Sequence, residues 1–449
     1  MCPDRGNLPI LYAAGAVDIT PERPLPLAGY AGRSECYTGV ADALEANVLV
    51  CRDAHETVVM VAFDLLHVGE LLRQKLQAAL AEVRPEQLFL TASHTHFAPA
   101  TDPTTPGLGQ VDEDYVALVA DRTAGLVRKL LRMPGQPMLL GTGRCATSLS
   151  VNRRLAGWRI TGKFPFVRHG VWMAPNPAGP VDRHIQVARI GTDVVLWTFA
   201  CHPSFLPQMS HVSADFPGFV RAALRRALGE HTTVLFWQGF SGDVFPSFVA
   251  SMKTVAGRIQ RKLLSRAEVV RAEVWQRWAT TLAGQVIAAV RGINSQESAF
   301  SLACRRSEIP AEALVPGSAT GKRIRAHRVD LGAALRVVGI SAEMVVEYLP
   351  VFEGLFGPGP LFCVSCMDGV IGYVPTAQML SEGGYEVDGF RAAFGLAGQF
   401  HVCPEQLLRE RLLLPLAGLF NAETAEIGER DGERGYRKKL GTQRASNAR

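Results

Sequence analysis

The segment that most constrains the fold lies near the start of the chain. Thr57–Phe63 reads TVVMVAF, an unbroken apolar run of strand length. Glu70–Val83 follows and places Leu72, Leu76, Leu80 and Val83 on one helical face, and Leu88–Ala92 is a second short apolar strand. Strand, helix and strand at this spacing form a βαβ unit, whose two strands are parallel because the chain crosses back through the helix. An unbroken apolar run, unlike an alternating one, suits a strand buried on both faces. A chain with such a unit reads as α/β.

The remaining segments extend that reading. Ile185–Ile190 and Val194–Ala200 flank Gly191-Thr-Asp193 as a hairpin. Asp215 is placed as N-cap of a helix over Phe216–Leu228, with Pro217 in its first turn. Thr233–Trp237 is a buried strand that runs into the loop Gln238–Pro246. Ser251–Arg291 reads as helical, in one piece or two, and the basic section Lys253–Arg277 as a solvated helix face. Arg328–Ile340 alternates as strands around Gly332, and Glu343 opens a helix that Pro350 interrupts. No repeat or Pro/Ser-rich linker divides the body. The expectation is therefore α/β: a single large domain over residues 8–428, with mixed sheets flanked by helices and a site at strand ends.

Composition matters mainly for what it excludes. In a chain of 449 residues, 47% apolar and 20% charged content is that of a globular protein. The net charge of +5 is concentrated in residues 429–449, with seven basic and three acidic groups, which reads as a disordered basic tail. The body is left nearly neutral, so nucleic acid is not an expected partner. No apolar run is long enough to span a bilayer, and Met1–Asn7 carries Asp and Arg rather than a signal-peptide pattern. Nine scattered cysteines suit a reducing compartment, so the expected location is cytoplasmic. The single CxxC, Cys363-Val-Ser-Cys366, sits in an apolar strand and reads as core.

Several residues can carry chemistry. Ser93-His94-Thr95-His96 ends the strand Leu88–Ala92, and in extended chain both imidazoles face one side. Imidazole is the commonest neutral zinc ligand, though an HxH pair is as readily structural. His202 follows an apolar strand in the same way. Glu343 is a carboxylate at a presumed helix start, where the dipole alone would favour it. Tyr373 and Tyr385 lie in a Gly-rich region, and Asn152-Arg153-Arg154 in a polar connection where exposed arginines need no function. His94, His202 and a carboxylate would form a three-ligand zinc set with an open position. No G-x-S-x-G elbow is present to support a serine hydrolase.

Taken in order, these segments resemble the catalytic domain of the neutral/alkaline, non-lysosomal ceramidase family. The resemblance runs over residues 12–390. It begins with Gly15-Ala-Val-Asp-Ile-Thr-Pro21, Gly29-Tyr-Ala31 and Ser93-His-Thr-His96. It continues through Asn152-Arg153, Cys201-His-Pro203, Ser213-Ala-Asp-Phe-Pro-Gly218 and Gly239-Phe-Ser-Gly-Asp-Val-Phe-Pro246. Ser341-Ala-Glu-Met344, Gly372-Tyr-Val-Pro-Thr376 and Gly383-Gly-Tyr-Glu386 complete it. The resemblance implies a zinc amidase acting on a small N-acyl substrate. It implies His94, His202, Glu343 and Tyr373 as Zn2+ ligands, and His96, Arg153 and Tyr385 as catalytic partners of the scissile amide. Asp215 and Asp243 are expected to cap and support.

The departures bear on substrate. Ceramide-cleaving relatives carry a further C-terminal immunoglobulin-like domain and a secretion signal or membrane anchor, which this sequence does not show. Phe97 stands beside the histidines where a small residue is usual, and is expected to reshape the acyl entrance. The implied substrate is then an intracellular N-acyl compound rather than ceramide. An esterase or acyltransferase on the same zinc site, or a non-catalytic metal-stabilised binding protein, remain the alternatives.

Overall fold

The computed structural model of the protein describes residues 9–160, 167–251, 271–318 and 321–418. Three sheets meet at a central core. The first runs in the order Leu88–Ala92, Thr57–Phe63, Glu45–Arg52, Leu11–Asp18, Gln136–Pro137. The second is ordered Thr233–Gln238, Val194–Phe199, His184–Ile190, Leu139–Ala146, Glu297–Ser298. The third is ordered Leu302–Pro310, Arg323–Leu331, Leu335–Ile340, Leu361–Val364.

Side-chain alternation explains how all three share that core. In Thr57–Phe63, Val58, Met60 and Ala62 face the centre, while Val59, Val61 and Phe63 face the helices Glu70–Ala79 and Glu113–Arg132. Val194 and Leu196 of the second sheet also face the centre, while Val195, Trp197 and Phe199 pack toward the helices Phe216–Leu228 and Ala272–Arg291. Leu335 and Val337 bring the third sheet in, and Val338 and Ile340 turn outward to the C-terminal helices. The unbroken apolar strands are therefore buried on both faces, as their sequences require.

The βαβ unit forms as expected, with Thr57–Phe63 and Leu88–Ala92 parallel. The hairpin joins His184–Ile190 to Val194–Phe199, and Asp215 caps its helix by accepting from Phe216 N. One expectation changes. Glu343 does not begin a helix; it lies in a two-residue strand, Glu343–Met344, paired with Tyr373–Val374. The described part of the Ser251–Arg291 stretch is helical at Ser251 and over Ala272–Arg291, and residues 252–270 lie outside the described residues, as does the basic tail. No helix among the described residues is long and apolar enough to cross a membrane.

Candidate metal centre and its pocket

Each of the three sheets contributes a parallel strand that ends at one place. His94 follows Leu88–Ala92, His202 follows Val194–Phe199, and Glu343 follows Leu335–Ile340. Carboxyl ends of parallel strands are where α/β proteins build sites, because the chain leaves the sheet there. Glu343 and Tyr373 are direct register partners, so their side chains emerge on the same face of the short pair.

The four residues expected to bind metal converge. His94 Nε2 lies 3.2 Å and His202 Nε2 3.4 Å from the same oxygen, Oε2 of Glu343. Tyr373 Oη is 3.5 Å from His202 Nε2. The His94 and His202 rings are 4.9 Å apart between centroids. His94 Nδ1 lies 3.1 Å from the Leu66 carbonyl, and His202 Nδ1 2.8 Å from that of Ser241. A carbonyl only accepts, so each Nδ1 carries the proton and each Nε2 turns its lone pair inward. That is the anchoring a metal-bound histidine uses.

The donor set is two imidazoles, a carboxylate and a phenol, all buried, and such nitrogen and oxygen ligands suit zinc. His94 Nε2 and Glu343 Oε2 are buried without a hydrogen-bond partner, which a cation between them would correct. Two overlapping groups, His94/His96/His202 and His67/His94/Glu343, each hold ligand atoms within 4.8 Å of one another. The residues therefore fit the metal that the sequence resemblance implies.

The electrostatics agree. Burial opposes charge on Glu343, but His94, His202 and His67 outweigh it and hold the carboxyl well below its usual range. Burial likewise opposes a charged His94, yet the Cys366 sulfur and Glu343 raise its pKa well above that of free imidazole. Burial and the Arg153 guanidinium lower His202 to about 4, so it stands ready as a neutral ligand.

His94 and His96 meet for a different reason than strand alternation. His94 has φ 66°, so the chain leaves the strand there and the rings meet through a turn, 5.1 Å apart and perpendicular. The conformation costs about 1–2 kcal/mol for a non-glycine residue. His96 packs on Gly29, whose φ is +95° and whose added Cβ would lie 2.5 Å from His96 Nδ1. The glycine of Gly29-Tyr30 is thus required by close approach as well as by its backbone.

Arg153 is not in an exposed connection. It lies within the strand Ser150–Ile160, buried, with Nε donating to Glu386 Oε1 at 2.8 Å and Nη1 3.5 Å from His202 Nε2. Its Nη2 has no hydrogen-bond partner among the described residues. The guanidinium sits over the rings of Tyr373 and Tyr385, at 5.4 and 5.5 Å. Arg154 donates to the other oxygen of Glu386, at 2.8 Å. Asp243 accepts from Asn152 Nδ2 and from Val346 N, and Asp215 from Phe216 N, the supporting positions expected of both.

Two further residues differ from expectation. His67 carried no sequence signal, yet it is buried, stacks on His94 and places Nε2 3.7 Å from Glu343 Oε1. Only its position after Thr57–Phe63, beside the parallel strand that ends at His94, could have found it. Cys363 and Cys366 are both buried in the core as expected, Cys366 at a turn with φ 55° just after the strand that holds Cys363.

Phe97 does not shape the entrance. It is 0% exposed and packs with Trp197, Phe199 and Phe216, because the turn at His94 directs it into the core. Phe97→Ala should therefore cost about 3–5 kcal/mol of stability, read by denaturant unfolding, and leave chain-length selectivity unchanged.

A cavity of about 710 Å³ opens onto His96, His202, Arg153 and Tyr373, walled by Tyr30, Phe205, Met209 and Phe245. That volume is in the range of small-molecule sites.

The fold and the site define a mixed α/β protein with a candidate His/Glu metal centre at strand ends. Its fold is that of solved ceramidases. Neutral ceramidase from Pseudomonas aeruginosa superposes with a TM-score of 0.66 at 14% identity, covering 92% of this chain and 75% of that one. A ceramidase complexed with C2 gives 0.65 at 14% identity, covering 91% and 75%. No family model and no curated protein matches the sequence.

Proposed function

We propose that the protein is a zinc-dependent amidohydrolase that cleaves an N-acyl bond, with residues 8–428 as its catalytic unit. The observation that carries this is the meeting of His94 Nε2, His202 Nε2, the Glu343 carboxylate and the Tyr373 hydroxyl beside the unpartnered Nη2 of Arg153. The fold shared with neutral ceramidase supports it. Zinc held by His94, His202, Glu343 and Tyr373 would supply Lewis-acid chemistry, polarising an amide carbonyl and acidifying water.

The chain's own residues supply the rest. Arg153 is held in place by Glu386, and its free Nη2 donates to the oxygen that gains charge as the carbonyl is attacked. Burial, reinforced by His94 and His202, keeps His96 neutral, so its imidazole accepts the proton that the attacking water gives up and returns it to the leaving amine. Tyr385, beside Tyr373 with ring centroids 5.5 Å apart, orients the amide. The apolar wall of Phe205, Met209 and Phe245 takes the acyl chain.

The test is metal analysis of the purified chain together with a panel of N-acyl compounds of graded length. About one zinc per chain and metal-dependent amide hydrolysis are expected. Full zinc occupancy with no hydrolysis of any amide would defeat the reading.

A further inference from the structure

The pocket wall carries a positive charge that no acid among the described residues balances. Arg33 lines the cavity from the loop that follows Gly29-Tyr30. Its Nη1 donates to the carbonyl of His96 at 2.8 Å and to that of Ala28 at 3.3 Å, which ties the guanidinium to the candidate site. Its face lies on the Tyr30 ring, 4.6 Å from the centroid. Among the described residues it makes no ion pair, and Nε and Nη2 donate to nothing. Glu35, also on the wall, is exposed and is not paired with it.

The buried arginines are treated differently. Arg153 and Arg154 share Glu386, and Arg221 is paired with Asp64 and Glu45. A partly buried guanidinium left without an acid is costly, and its planar fork matches a carboxylate through two parallel hydrogen bonds. Stacking on Tyr30 offsets part of that cost and fixes the plane without using the remaining N–H groups. A neutral N-acyl lipid offers those groups only uncharged carbonyl or hydroxyl oxygens and leaves the guanidinium without a counter-charge.

We infer that the pocket is built for N-acyl compounds that bear a carboxylate, and that Arg33 binds it. This rests on the amidohydrolase reading for the reaction, while the binding of the anion stands on Arg33 alone. The carboxylate can belong to the amine half, as in an N-acyl amino acid, or to the acyl half, as in the monoamide of a dicarboxylic acid. The recognition chemistry is the same for both.

The experiment uses the full chain and two matched pairs. N-octanoylglycine is compared with N-octanoylglycinamide, and a succinyl monoamide with the butyryl amide of the same amine. In the zinc-loaded protein, kcat/KM should favour the carboxylate member of at least one pair by on the order of 10- to 100-fold. Which pair shows it identifies the half that carries the anion. R33Q should collapse that ratio, mainly through KM, and R33K should restore part of it, since lysine keeps the charge but not the fork. Calorimetric binding of the same compounds to zinc-free protein gives a readout independent of hydrolysis. A carboxylate preference there that R33Q removes supports the inference even if no amide is cleaved, so the two readings fail separately. Equal treatment of both members in both pairs, or an undiminished ratio in folded R33Q, overturns it. If R33Q does not fold, the wild-type ratio and R33K decide.

Discussion

Replacing His202 with alanine is expected to empty the site of zinc and reduce hydrolysis to background. His202 supplies one of two neutral nitrogens, and its Nδ1 is tied to the Ser241 carbonyl, which holds Nε2 toward the site. Loss of an outer partner of a zinc ligand already weakens zinc by on the order of 10–100-fold, and loss of a ligand should exceed that. Metal content by mass spectrometry and the zinc-dependent rise in melting temperature are the readouts. Wild type should gain stability as zinc is added, since a ligand that binds only the folded chain stabilises it, and His202→Ala should not. A variant that keeps about one zinc per chain would remove His202 from the ligand set.

Arg153→Ala is expected to keep zinc and lose turnover by on the order of 10²–10³. Arg153 is not among the proposed ligands, and its free Nη2 points to a role met only as charge develops on the substrate. The loss should therefore appear in kcat more than in KM. Glu386→Gln should reproduce part of it, because Glu386 holds the guanidinium in place. Both partners are buried, so stability must be measured alongside: removing one member of a buried pair costs about 3–5 kcal/mol when the other is stranded, and here Arg154 still contacts Glu386. His96→Ala and Tyr385→Phe should also retain zinc and turn over more slowly. Unchanged rates in all three variants would take these residues out of the reaction.

Much of the framework was legible from local pattern. Apolar runs such as Thr57–Phe63 and Thr233–Trp237 read as strands buried on both faces, and Leu72, Leu76, Leu80 and Val83 read together as one face of a helix packed against them. Asp215 followed by Pro217 marks a helix start because both act on backbone groups within a turn of themselves. His94 and His202 could be singled out because each is the first imidazole after such a run.

What remained hidden depends on contacts distant in sequence. Glu343 reads locally as a helix start; its pairing with Tyr373 in a short parallel strand makes it a site carboxylate instead. Arg153 reads as solvent-facing until Glu386 is brought beneath it, and full burial of a guanidinium is costly unless an acid pairs with it. Phe97 follows the site histidines in sequence yet faces away from the cavity, because His94 takes a left-handed conformation and redirects the chain behind it. His67, flanked by Leu66 and Val68, gives no pattern at all. Hydrophobic periodicity and capping are properties of neighbours along the chain, so the sequence by itself determined the elements and the histidines at their ends. Pairing of strand ends from three sheets is a property of neighbours in space, so only the tertiary structure decided which carboxylate, arginine and hydroxyl those histidines meet.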